Sequence, residues 1–272
     1  MQKKTMARFY CLKWGSKYSH VYVNRLYNSL KKHYHKGFDM HCLTDNSVGI
    51  NPEINIEPIP TEWEHYPRTQ IFTSEKMCYF NDQRAWIKGP KAWFDLDILI
   101  QADITKLIDA PKEKVTFIWN YWRDDQAAVD NYDRMTTPIN SSFVAWQDDL
   151  GNDMYHRLKK NQAKAFFTYP SFDKYLFYQE HRKGNIDFWP RGIVYNYNIG
   201  VEYPLELVPQ KYQDHYIVCL FNTSHKKWAR PNETNLELHE ARGWAKTMWD
   251  SYSDRTPAET FYEVWEKYEK RV

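Results

Sequence analysis

A chain of 272 residues with a formal net charge of +2 is long enough for one large domain and too nearly neutral to present a strong field to a polyanion. No linker-like, low-complexity or repeated segment divides it, and it holds only 9 glycines, so one core with an appended tail is expected. Its four cysteines (Cys11, Cys42, Cys78 and Cys219) show no Cys-x-x-Cys spacing and read as buried free thiols of a reducing compartment.

In chain order, Arg8–Lys13 reads as a strand and Trp14-Gly15-Ser16-Lys17 as the turn after it. Ser19 is a natural N-cap for a helix carrying Val23, Leu26, Tyr27, Leu30 and Tyr34 at helical spacing up to Gly37. Phe38–Thr44 is then a second strand, so the first unit is β-α-β, with a right-handed crossover and a parallel pair. A short strand at Ile54–Ile59, a turn-rich aromatic stretch from Trp63 to Thr73 and a helix over Ser74–Phe80 follow. The apolar run around Lys91–Ile100 predicts a further strand, followed by a short helix over Ile104–Ile108 and a strand over Val115–Trp119. Asn120–Asn140 is acidic, polar and irregular, as a mobile lid or loop would be. Ser142–Trp146 returns to the sheet, Asp153–Lys160 and Phe172–His181 predict helices, and Tyr216–Phe221 predicts a last strand. Asn235–Asp250 and Pro257–Lys270 predict a helical tail, giving a core over 1–230 and a tail over 231–272.

Two carboxylates, Asp95 and Asp97, interrupt the apolar run of residues 91–100 where its strand should end. Side chains at i and i+2 of a strand share a face, so both converge on one point while Trp93, Phe94, Ile98 and Ile100 pack elsewhere. Like charges so placed repel unless a cation or proton neutralises them, and oxygen donors suit Mg²⁺ or Mn²⁺. A solvated strand terminus is the plain alternative. Basic stretches at Lys31–Lys36, His181–Lys183 and Lys226–Arg230 are interleaved with aromatics, as at a phosphate or single-stranded nucleic acid surface, or as at solvated helix ends. Aromatics make up 17% of the chain, with 12 Trp and 21 Tyr, and most must serve packing. No apolar run is long enough for a signal peptide or a membrane span, and a cytoplasmic location is expected.

The islands Cys11–Tyr18, Cys42–Asp45, Ser74-Glu-Lys76 and Gly89–Asp97, in this order, resemble the nucleotide-sugar glycosyltransferases of the GT-A fold, glycogenin-like enzymes and bacterial or viral relatives. The resemblance spans roughly residues 7–230. It implies an α/β fold, a single GT-A-like Rossmann-type domain with a mixed central sheet flanked by helices, plus the helical tail. It implies transfer of a sugar from a nucleotide-sugar donor, most simply a UDP-sugar, to a hydroxyl acceptor, with Mn²⁺ or Mg²⁺ on Asp95 and Asp97. Lys13, Trp14, Tyr18, Thr44 and Asp45 would then surround the nucleotide, and Lys76 would reach donor phosphate or sugar. Asn140 and Ser141 would lie near the transferred sugar, and Tyr178-Gln179-Glu180 resembles a polar pair close to the anomeric carbon. The stretch Phe221–Trp228 departs from the family pattern, so the last metal position falls to His225 or Asn222, with Lys226 on the diphosphate.

The resemblance leaves the acceptor open among a saccharide, a lipid-linked sugar, a protein and a hydroxylated base in DNA. A phosphatase of the haloacid dehalogenase type also places Asp-x-Asp after an apolar strand, with the first Asp as nucleophile. That motif opens its domain and is followed by Thr or Val, whereas here a β-α-β unit precedes it and Ile98 follows. A glycan- or nucleic-acid-binding protein that has lost transfer activity is the non-enzymatic alternative.

Overall fold

The computed structural model describes residues 5–62, 74–110, 112–120, 137–190, 192–197, 217–221, 237–241 and 243–254. Strands β1 (Ala7–Lys13) and β2 (Phe38–Thr44) pair in parallel, with Cys11 opposite Cys42, and helix α1 (His20–His33) joins them. Ser19 stands in extended backbone at the N-cap, as expected. The helix stops before Gly37 because Tyr34 leaves helical geometry, buries its ring and donates to Asp109 Oδ1 at 2.7 Å.

β3 (Asn55–Glu57) adds to the outer edge of β2. The helix expected over Ser74–Phe80 is a 3₁₀ helix. Glu75, Lys76, Met77, Cys78, Tyr79 and Phe80 are all buried, so this segment has no polar face of the kind a surface α-helix turns to water. After α2 (Asp82–Ala85), β4 (Pro90–Phe94) runs parallel to β1, and β5 (Ile98–Ile100) leaves the main sheet for a second one. Next come α3 (Thr105–Asp109), β6 (Val115–Trp119) and β7 (Ile139–Gln147). They are followed by α4 (Asn152–Lys160), α5 (Gln162–Thr168) and α6 (Phe172–Gln179). The described chain closes with β8 (Ile186–Phe188), β9 (Val194–Asn196), β10 (Val218–Leu220) and α7 (Gly243–Ser251).

The main sheet has seven strands in the order β3-β2-β1-β4-β7-β6-β8, and β7 runs antiparallel to both its neighbours, so the sheet is mixed. A second sheet of three strands has the order β5-β10-β9. Alternation along β1 sends Phe9 and Cys11 into the core beneath α1 and Tyr10 into the opposite core with Trp93 and Trp146. Strand order reverses between β1 and β4, and in open α/β sheets the crevice beyond the strand ends at such a reversal is where ligands bind.

Within the expected tail, α7 packs on α1. The Arg25 guanidinium lies 4.7 Å from the Trp249 ring centroid, and the Tyr252 hydroxyl donates to the Ile100 carbonyl at 2.6 Å. The expected helix over Pro257–Lys270 lies outside the described residues. All four cysteines are buried free thiols. Among the described residues, no helix is long and apolar enough to cross a membrane.

Candidate functional site

Asp95 and Asp97 occupy the three-residue junction where the chain passes from the main sheet to the second one, one step beyond the strand that was expected to carry them. Asp95 stays tied to the main sheet, its N–H donating to the Ser142 carbonyl at 2.8 Å. The Asp97 carbonyl accepts from the Phe221 N–H at 2.8 Å, which ties it to the strand of β10. Each backbone is therefore fixed by a different sheet, and both side chains project at the β1–β4 reversal.

Two cationic or donor groups meet these carboxylates. The Lys76 Nζ sits 2.7 Å from Asp95 Oδ1 and 2.8 Å from Oδ2, and 3.3 Å from Ser141 Oγ. Lys76 is buried, so this is a charge pair with little water to screen it. From the β1–α1 loop, the Tyr18 hydroxyl donates to Asp97 Oδ2 at 3.0 Å. Burial and the neighbouring Asp95 charge push the Asp97 carboxyl above its ordinary value, against Lys17, Tyr18 and Lys76, which pull it down. The Tyr18 hydroxyl is itself pushed far up by burial and by Asp97. The loop is laced to the end of β2, with the Gly15 N–H donating to Asp45 Oδ2 at 2.9 Å and Lys13 Nζ to the Asn46 carbonyl at 3.1 Å. Gly15 has φ +61°, which a glycine adopts without steric cost. Thr44 caps the turn at the end of β2 through its own hydroxyl, 3.0 Å from the Asn46 carbonyl, and Trp14, next after Lys13 in the chain, is half-buried.

No protein-family model and no curated protein matches the chain in sequence. In structure, it is similar to the galactosyltransferase LgtC, solved with donor and acceptor sugar analogues: the TM-score is 0.58 at 11% identity, covering 94% of this chain and 99% of LgtC. It is also similar to the glycosyltransferase GlyE of Streptococcus pneumoniae, with a TM-score of 0.52 at 11% identity, over 97% of this chain and 64% of GlyE. The bifunctional glycosyltransferase WbbM gives a TM-score of 0.57 at 10% identity, over 97% of this chain and 52% of WbbM. The fold is that of the GT-A glycosyltransferases.

Within this GT-A fold, one carboxylate that sequence reasoning passed over belongs beside the pair. Asp173 opens α6 behind the Ser171 cap, and its Oδ1 is buried without a hydrogen-bond partner. Burial, helped by the Asp95 charge, pushes its carboxyl up to about 6, against the Lys76 ammonium and Ser141. In the sequence it looks like any acidic residue in a first helical turn, and only the fold brings that turn to Asp95.

Other expected site residues are placed differently. Asn140 is buried on β7 and spends its Oδ1 on the Ser142 N–H at 2.8 Å, shaping the strand under Ser141. Gln179 and Glu180 sit at the opposite end of α6 from Asp173, about 10 Å along the helix axis, so they do not join the pair. Glu180 is fully buried and paired there with Arg157 at 2.7 Å, because a carboxylate with no water around it needs a charged partner. His225, Asn222 and Lys226 lie outside the described residues.

The donors suit a divalent ion in kind, being carboxylate oxygens, and burial, followed by the Asp95 charge, pushes the Asp97 carboxyl up, a cost that a bound cation would offset. Among the described residues, no group of three or more His, Cys, Asp and Glu side chains is gathered to hold a metal. Were an ion held here, Asp95 and Asp97 would supply two of its ligands, and solvent or other groups would have to complete the shell.

Proposed function

We propose that this chain transfers a sugar from a nucleotide-sugar donor, with UDP-sugars the first candidates, to a hydroxyl acceptor, using Mn²⁺ or Mg²⁺ held by Asp95 and Asp97. The observation that carries this reading is the convergence of Asp95, Asp97, Tyr18 and Lys76 at the strand reversal of a GT-A fold.

When bound, the ion would stabilise the negative charge that grows on the departing nucleoside diphosphate. Tyr18 holds the Asp97 carboxylate in one orientation, and Lys76 does the same for Asp95 while keeping an ammonium ready for a donor phosphate oxygen. The loop tied to Asp45 and Asn46 forms the wall for the nucleotide. Asp173, with an unmet oxygen facing this cluster, is placed to accept hydrogen bonds from hydroxyls of the transferred sugar.

The test is release of nucleoside diphosphate from a panel of nucleotide sugars, with and without Mn²⁺, by the native protein and by Asp97→Ala. Release from one donor that needs Mn²⁺ and is absent in the variant supports the reading. Hydrolysis of phosphate monoesters with no release from any nucleotide sugar would replace it with the phosphatase.

A further inference from the structure

Gln179, Glu180 and Lys183, set apart from the Asp95–Asp97 cluster, line a cavity of about 130 Å³ between α4, α5 and α6. We propose that this cavity is a second binding site, which takes the phosphate group of a phosphorylated sugar.

The site is built on a buried anchor. Glu180 is completely buried and accepts from Arg157 Nε at 3.2 Å, Arg157 Nη2 at 2.7 Å and Asn185 Nδ2 at 2.8 Å. That arrangement uses one edge of the guanidinium and fixes its plane, and Nη1 makes no hydrogen bond among the described residues. An arginine so held offers a second pair of N–H donors at little further cost in order, the geometry that phosphate oxygens fit.

Glu180 neutralises Arg157, but two further cations at the cavity are uncompensated. Lys164 has no ion pair among the described residues, and Lys183 donates only to Gln179 Oε1 at 2.9 Å. Asp153, near Arg157, is the acidic group that acts on this edge, and it is exposed. Two free ammonium groups around a pinned guanidinium match a dianionic phosphate monoester.

The rest of the lining suits the sugar that carries it. Tyr169 and Tyr175 supply ring surface, and the Asn161 and Gln179 amides, which already give one N–H each to the Arg157 carbonyl and the Tyr169 hydroxyl, keep a second N–H and an oxygen lone pair for hydroxyls. Tyr169 is braced, stacked on Tyr178 at 6.0 Å, which in turn lies 4.7 Å under the Arg182 guanidinium. A neutral sugar would leave the two lysines unmatched, and free phosphate would leave the rings uncovered.

The experiment is calorimetric titration of the full chain with a hexose 6-phosphate, inorganic phosphate and the unphosphorylated hexose. The variants are Lys164→Glu/Lys183→Glu and Asp97→Ala; Arg157 is kept, since its removal would strand Glu180. Saturable binding of the hexose phosphate, about tenfold tighter than inorganic phosphate, weakened about tenfold or more by the double charge reversal and unchanged in Asp97→Ala, is expected. No saturable binding, or equal binding by the double variant with an unchanged melting temperature, would overturn the site. Loss of binding in Asp97→Ala would move the ligand to the donor site. Equal affinity for inorganic phosphate would remove the sugar half of the proposal, and in a parallel titration with a single-stranded oligonucleotide, tighter binding through the same lysines would replace it with a polyanion surface.

Discussion

The Tyr18 hydroxyl donates to the Asp97 carboxylate at 3.0 Å, joining the loop after the first strand to the acidic junction 79 residues later. This bond fixes where the carboxylate points. Removing it alone, in Tyr18→Phe, keeps the ring packed against Tyr22 at 5.0 Å and leaves the fold intact. Mn²⁺ affinity, read from the free-ion electron paramagnetic resonance signal, is expected to fall about tenfold, as for other groups that orient a metal ligand. Unchanged affinity in a folded variant would show that Tyr18 does not position Asp97.

Lys76 and Asp95 form a buried pair at 2.7 Å, and breaking one side of such a pair leaves the other charge stranded. Lys76→Met is expected to destabilise the protein by about 2–3 kcal/mol in chemical denaturation and to abolish sugar transfer. Adding Asp95→Asn should restore much of the stability and none of the activity. If Lys76→Met is as stable as the native protein, the pair has no structural weight.

Reading the chain as sequence located the acidic junction and the first β-α-β unit for a definite reason. β1, α1 and β2 each alternate or repeat with one period and pack on one neighbour, so local pattern and final burial agree. The pattern failed where burial comes from elsewhere. Residues 75–80 are buried on all sides, which removes the polar face that marks a helix type, and Asn140 reads as the end of a polar loop although it is a buried residue of β7, which already begins at Ile139. Asp95 and Asp97 were expected on a strand, yet the strand stops at Phe94 because the chain must change sheets there. Glu180 finds its partner Arg157 on a separate helix, a pairing that no spacing within its own segment displays.

Substitution at Asp173 offers a way to separate binding from chemistry. It touches the Lys76–Asp95 cluster electrostatically and holds none of the backbone that positions the loop of residues 13–18. Asp173→Asn is expected to keep Mn²⁺-dependent stabilisation by the nucleoside diphosphate while transfer falls about 100-fold. Full transfer activity in that variant would remove Asp173 from the site.

Acid should loosen the docking of α7 and of Tyr252 just after it. Burial, with help from Lys32 and His35, lowers His33 to about 4, and its Nε2 lies 2.8 Å from the Tyr252 hydroxyl. Between that value and the ordinary 6.5 the unfolded chain binds more protons, so His33 contributes stability that is present above pH 6.5 and lost as pH falls towards 4. After solvent screening its share is about 1 kcal/mol. His33→Gln should flatten the stability-versus-pH curve in that window, and an unchanged slope would contradict the assignment.

The most direct test of the central claim is the melting temperature of the native protein and Asp97→Ala with each nucleoside diphosphate, with and without Mn²⁺. One diphosphate is expected to raise the native melting temperature only with Mn²⁺ and to leave Asp97→Ala unmoved, as binding to the folded state alone requires. A folded native protein that no diphosphate stabilises, with or without the ion, would contradict it.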